Sequence, residues 1–371
     1  MQLEFTPEQE ELRDGVCAML ARECPMSLVR EVVEKGSRPD DLWAHMVALG
    51  WPALTIPEDA GGLELGMIEL AVVLEELGRS NAPGPFVPTV TQFVPVVREL
   101  GSPEQRARFL APVANGDLTG TLALAEAAGS YDPDLVEVTA TGAGDGYVLT
   151  GTKDSVVEAA NVDEVAVVAR TPDGIGVFVV PASEVAIQPI AALDASRPLA
   201  RVTLDGVGVT ADRALGAPGH DTAATVRRVV EEASAALALE LVGTCQTIFD
   251  VTLEYAKQRE QFDVPIGSFQ AIKHKFADML VALERARATA YFAALTIAED
   301  DERRAVAVST AKAAAGECAR LLAKEGIQIH GGIGYTWEHD MHLYVRRARS
   351  SALLFGTAAD HRARIATLIG L

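Results

Sequence analysis

Residues 164–181 read Glu-Val-Ala-Val-Val-Ala-Arg-Thr-Pro-Asp-Gly-Ile-Gly-Val-Phe-Val-Val-Pro. Two Val-rich runs, Val165-Ala-Val-Val and Gly176-Val-Phe-Val-Val, flank a Pro-Asp-Gly turn signal, the pattern of paired strands. Similar short runs surround them: Val136-Glu-Val-Thr, Tyr147-Val-Leu-Thr and Ala200-Arg-Val-Thr-Leu, with Gly-Asp-Gly as a further turn. No helical pattern intervenes between about residues 118 and 220, so this zone is expected to be an antiparallel β-barrel or sandwich.

Outward from it, both flanks change to helical periodicity. On the N-terminal side, Thr6-Pro7-Glu8-Gln9 reads as a capping box with proline in the first helical position, followed by Leu12, Val16, Met19 and Leu20. Ser102-Pro103-Glu104-Gln105 repeats the device, and Ile68–Leu77 reads as an apolar-faced helix stopping at Gly78. On the C-terminal side, helices are expected at about 222–258, 268–299, 303–329, 340–354 and 358–369. A four-helix bundle would bury their faces. The expected fold class is therefore α+β in three domains: helical 1–117, central β 118–220 and a C-terminal helical bundle 221–371.

The chain's 371 residues suit two or three packed domains. Lys+Arg number 32 against Asp+Glu 52, a net charge of −20, which argues against nucleic acid as a partner. Cys17, Cys24, Cys245 and Cys318 show no metal spacing and read as small apolar residues of a reducing compartment. The start, MQLEFTPEQEEL, is too polar for a secretory signal, and no apolar run approaches the ~18 residues of a membrane span. A cytoplasmic protein without a bound metal is expected.

Motifs along the whole chain carry a resemblance. They are Leu49-Gly50-Trp51-Pro52, Pro57-Glu58, Gly61-Gly62-Leu63 and Leu74-Glu75-Glu76-Leu77-Gly78-Arg79 early on. Later come Arg259-Glu260-Gln261-Phe262, Pro265-Ile266-Gly267-Ser268-Phe269-Gln270-Ala271 and Gln328-Ile329-His330-Gly331-Gly332. In these the chain resembles the acyl-CoA dehydrogenase flavoproteins. The resemblance implies α,β-dehydrogenation of an acyl-CoA thioester on FAD, a Glu that removes the α-proton, and electron-transfer flavoprotein as acceptor. It also implies FAD shared between subunits, with Arg259, Phe262, Gln270, Gln328, Gly331 and Gly332 contacting the neighbour's cofactor. A guanidinium fork suits pyrophosphate, and glycines admit close backbone approach. Alone, Arg259 reads as a solvated helix-end charge and the glycines as a helix cap.

The subunit's own half departs from the family pattern. Ala125 stands where a flavin-bonding Thr is expected before Glu126. Ser155 and Val157 replace the Trp and hydroxyl residue of the G-x-K-x-W-I-T/S element, which here reads Gly151-Thr152-Lys153-Asp154-Ser155-Val156-Val157. Phe355 replaces the Glu of the Y-E-G-T element, and Ala233 falls at the alternative Glu position. Neither can accept a proton. Glu232, beside Ala233, is the candidate displaced base, against a plain reading as solvated helix face.

The profile resembles the non-catalytic subunit of actinobacterial α2β2 steroid side-chain acyl-CoA dehydrogenases. The expectation is thus an FAD-contacting partner of a catalytic subunit, acting on an acyl-CoA in the complex. Two alternatives stay open: a self-sufficient homomeric enzyme using Glu232, and a flavin-free assembly or CoA-binding protein. His274, His330, His339, His342 and His361 lack metal spacing, Trp337 reads as core, and Arg346, Arg347 and Arg349 as a structural or phosphate-facing cluster.

Overall fold

A computed structural model describes residues 5–371, the side chain of His220 excepted; the first four residues of the N-terminal stretch lie outside the described residues. The chain runs through α1 (Pro7–Glu23), α2 (Met26–Lys35), α3 (Asp40–Ala48), α4 (Met67–Arg79), α5 (Phe86–Pro88), α6 (Val94–Leu100) and α7 (Pro103–Ala114). Eight strands follow: β1 (Gly120–Ala123), β2 (Thr139–Ala143), β3 (Gly146–Val157), β4 (Glu164–Thr171), β5 (Gly174–Pro181), β6 (Ala186–Ile190), β7 (Leu199–Thr210) and β8 (Ala214–Gly219). Then come α8 (His220–Gln258), a hairpin of β9 (Glu260–Gln261) and β10 (Val264–Pro265), α9 (Gln270–Ala298), α10 (Arg304–His330), α11 (Met341–Ser351) and α12 (Ala358–Leu368). Two compact units result. One takes the chain to Ser37, Met67–Ala82 and Ser234–Leu371; the other takes Arg38–Gly66 and Pro83–Ala233.

In the first unit α10 packs against α9, α11 and α12. Its buried stripe is small, with Ala307, Ala311, Ala315, Cys318 and Ala319 followed by Leu322. Small side chains at i, i+4 and i+8 allow close helix approach. Both capping boxes form: the Thr6 hydroxyl accepts from the Gln9 N–H (3.3 Å), and the Ser102 hydroxyl, in the second unit, from the Gln105 N–H (3.2 Å).

Gly78 does not stop α4, which continues to Arg79. A methyl at Gly78 would lie 2.0 Å from the Glu240 carbonyl oxygen, and one at Gly243 would lie 1.8 Å from that of Glu75. The two glycines are the contact surface between α4 and α8, and Thr244 seals it by donating to the Gly78 carbonyl at 3.2 Å. Gly243→Ala is expected to destabilise the protein by about 2 kcal/mol, overpacking outweighing the helix propensity gained. Urea unfolding with an unchanged m-value checks this.

The α8 segment also revises the view of apolar runs. Residues 221–258 contain a window of mean hydropathy 1.3, enough by composition for a span, yet 72% of that window is buried inside the fold.

The second unit is built on a sheet in the order β6-β7-β3-β2-β4-β5-β8, with β1 beside β4. Pairing is antiparallel except between β1 and β4 and at one β2–β4 bridge. β4 is buried on both faces, as its unbroken Val/Ala run requires. Of the Val136–Thr139 run only Thr139 enters a strand. The N–H groups of Glu137 and Val138 go instead to the Glu126 carboxylate, at 2.8 and 2.9 Å.

Candidate functional site

The residues that the resemblance assigns to a neighbour's cofactor all lie in the first unit, on the β9–β10 hairpin, at the start of α9 and at the end of α10. The β9–β10 hairpin turns through Phe262 and Asp263, both at positive φ (58° and 61°), and the Phe262 ring is 87% exposed. A bulky residue held left-handed at an exposed tip is strained locally. The Phe269 ring meets it edge-on with centroids 6.1 Å apart. Arg259, at the hairpin's base, bonds through its backbone to Tyr255 and Ile266. Its guanidinium makes no ion pair among the described residues. Gln270 opens α9 and is exposed.

Gln328, Gly331 and Gly332 line an open cleft of about 680 Å³ with Arg320, Lys324 and Arg349. Gly331 ends α10 at φ 66°, ψ −142°, a conformation left to glycine, and a methyl there would meet nothing. The glycine is therefore kept for backbone shape, as a cap and as an uncovered wall at once. Three cations beside amide and bare backbone form a surface suited to a phosphate-bearing ligand. Sequence reasoning missed Arg320 and Lys324, although Arg320, Lys324 and Gln328 stand at i, i+4 and i+8, one stripe of α10. Of the basic cluster at 346–349, the three arginines separate. Arg349 reaches this cleft, Arg346 lies 5.1 Å over the Trp337 ring, and Arg347 is buried against Glu240. Trp337 is half exposed rather than core.

Behind the cleft, His330 stacks on Tyr255 with centroids 4.5 Å apart and meets His339 at 4.8 Å. Burial holds the His330 imidazole below its ordinary value, with the Gly326 carbonyl pulling the other way and His339 adding to the fall. No group of three or more metal-ligating side chains occurs among the described residues.

The two positions at which the resemblance places a base carry apolar side chains. Phe355 is buried at φ 56°, its carbonyl 3.0 Å from His361 Nε2. In the second unit Ala233 is fully buried. Glu232 meets Arg98 with both oxygens at 2.9 and 3.0 Å from Nη2. Its acceptor capacity is engaged by a neighbouring helix.

In the second unit, the segment that departs from the family pattern is engaged internally. Lys153, fully buried, donates to the Glu126 carboxylate (2.7 Å) and the Leu124 carbonyl (3.1 Å). Burial brings Lys153 down to about 8 despite its partner. Burial also pushes the Glu126 carboxyl up, but Lys153 and two backbone N–H groups outweigh it and hold it low. The ion pair is therefore the state at neutral pH. A β-bulge between Lys153 and Val156 puts Ser155 at φ 54°, and Val157 is buried. Ala125, Ser155 and Val157 provide no aromatic platform.

Comparison with known proteins gives the family and the fold. Residues 6–117 match the model of the acyl-CoA dehydrogenase N-terminal domain, and 224–369 that of the acyl-CoA dehydrogenase C-terminal domain. The acyl-CoA dehydrogenase IpdE2 of Mycobacterium tuberculosis is 32% identical, covering 94% of each chain. A chain of the ChsE4–ChsE5 complex from Mycobacterium tuberculosis superposes with TM-score 0.91 at 29% identity over all of both chains. A variant of the Tcur3481–Tcur3483 steroid ACAD gives 0.88 at 30% identity, covering 98% of this chain and 97% of that one.

Proposed function

The chain belongs to the acyl-CoA dehydrogenase family, and from that premise we propose that it is the non-catalytic, FAD-contacting subunit of a heteromeric acyl-CoA dehydrogenase. The observation that carries this reading is an asymmetry. Arg259, Phe262, Gln270, Gln328, Gly331 and Gly332 face outward and are unspent, whereas Phe355 and Ala233 leave both base positions without a carboxylate.

In this reading the chain completes an FAD site on a catalytic partner, in an α2β2 assembly of the cytoplasm. The residues present fit the phosphate-bearing end of FAD, through the Arg320, Lys324 and Arg349 cleft and the uncovered Gly331 backbone. They do not fit the isoalloxazine ring in the second unit. FAD, when bound, supplies the hydride acceptor for the thioester's β-carbon; the partner supplies the base. This chain's share is to hold pyrophosphate with Arg259 and the cleft cations, and to shield the cofactor with Phe262. A steroid-CoA substrate class and an electron-transfer flavoprotein as acceptor are part of the proposal. The likeness to the Tcur3481–Tcur3483 steroid ACAD supports the first of these.

Flavin-to-chain stoichiometry tests the reading. The chain purified alone is expected to carry little flavin and no activity, rising to about one flavin per pair of chains once co-expressed with its catalytic partner. One flavin per chain without a partner, or full activity alone, would overturn it. Within the complex, Arg259→Ala is expected to weaken flavin retention about tenfold by removing charge-assisted hydrogen bonds. Glu232→Gln is expected to leave kcat unchanged, since that carboxylate is engaged by Arg98. A large fall in kcat would restore the homomeric alternative.

A further inference from the structure

A cavity of about 860 Å³ lies in the first unit between α1, α4 and α9. Its size is that of pockets for drug-sized ligands. None of the residues assigned above to the flavin lines it. Three helical stripes do: Arg13 and Cys17 from α1, Glu75, Glu76 and Arg79 from α4, and Arg287, Ala288, Tyr291 and Phe292 from α9. Each set has i, i+3 or i+4 spacing, so each helix turns one face to the space.

Two chemical zones follow. In the floor, the buried Glu75 accepts from Arg287 and from the Tyr291 hydroxyl (2.8 Å), one donor on each oxygen, and Arg287 also donates to Gln246. The Phe5 ring meets Tyr291 edge-on at 5.3 Å, and Phe292 extends an aromatic wall. Near the rim lie the exposed Cys17, the buried Glu76 and the exposed Glu284 of α9, which meets Arg287 at 3.5 Å. Arg79 is held loosely: its contacts to Glu76 and Asp250 are both 3.5 Å. Glu75 has a donor on each oxygen, while the Arg79 guanidinium lacks a short acceptor. A ligand filling this space would have to bring an apolar body for the wall and an acceptor for Arg79.

We propose that this cavity is a binding site for a small ring-bearing carboxylate, its ring against Phe5, Tyr291 and Phe292 and its carboxylate on Arg79. It is separate from the flavin surface and independent of the heteromeric reading.

Cys17 offers a readout, because it is the exposed cysteine while Cys24, Cys245 and Cys318 are buried. The full chain is treated with N-ethylmaleimide with and without naphthalene-2-carboxylate, using the neutral naphthalene-2-carboxamide as the charge control. The carboxylate is expected to slow Cys17 alkylation saturably and at least tenfold, and the amide to protect at least tenfold more weakly. Arg79→Gln is expected to raise the protecting concentration about tenfold. Ala288→Trp, which fills the space from α9 without removing an ion pair, is expected to abolish protection. Protection absent in the unmodified chain, equal with the amide, or unchanged in Ala288→Trp would overturn the proposal.

Discussion

Arg347→Met is expected to lower the unfolding free energy by about 3–5 kcal/mol, because it leaves a buried carboxylate without its counter-charge. Arg347 Nη1 lies 2.9 Å from Glu240 Oε1 and 3.1 Å from the Ala82 carbonyl, and both side chains are sealed from solvent. The cost arises from the partner left behind rather than from the pair's own strength. The double variant Arg347→Met/Glu240→Leu should accordingly recover most of the loss, since an apolar replacement of both partners removes the stranded charge. Urea unfolding of the three proteins checks this. Equal destabilisation of single and double variants would assign the effect to packing instead.

Acidification is expected to weaken the protein by a comparable amount through His361. Its Nε2 faces the Phe355 carbonyl at 3.0 Å, in the turn where the family's base would stand. Burial and then the charge of Lys312 bring the imidazole down to about 4. An unfolded imidazole takes its proton near pH 6.5, so between 6.5 and 4 the unfolded chain binds more protons. Stability should fall with pH across that window by about 3 kcal/mol. Lys312 acts in the same sense at higher pH. Its amine donates to the Ala352 and Gly356 carbonyls at 3.1 and 3.0 Å, and burial lowers it to about 7 from 10.5. Stability should therefore rise with pH between 7 and 10.5. Unfolding free energies measured from pH 4 to 10 should show both slopes, the lower one flattened in His361→Gln and the upper one in Lys312→Met. An unchanged slope in either variant would remove that residue as its source.

These two residues mark a limit of sequence reading. His361 passes for a scattered structural histidine in the sequence, and Lys312 for one more charge on an Ala-rich helix. Only the arrival of the Ala352–Gly356 turn makes both of them buried donors. Arg347 is a similar case. Within a cluster at 346–349 it reads like its neighbours, yet helical rotation of about 100° per residue sends one inward, one to the cleft and one over Trp337.

What the amino-acid order determined by itself was what depends on local periodicity and turn chemistry. The Val-rich pairs about Pro-Asp-Gly gave β4 and β5, and both capping boxes and the long helices from 220 to 368 form as the spacing implies. The α–β–α order and the motifs from Arg259 to Gly332 then sufficed for the family. The tertiary structure alone decided what depends on residues far apart in the chain. Gly78 sits inside a helix because the Glu240 carbonyl passes 2.0 Å from where a methyl would be, a contact 162 positions away that no local signal encodes. Glu137 and Val138 leave the sheet because the Glu126 carboxylate takes their N–H groups, and Glu232 is paired because Arg98 stands opposite. Periodicity fixes which face a residue occupies; the partner it meets there is set by long-range packing, where burial makes each unmatched charge or methyl costly.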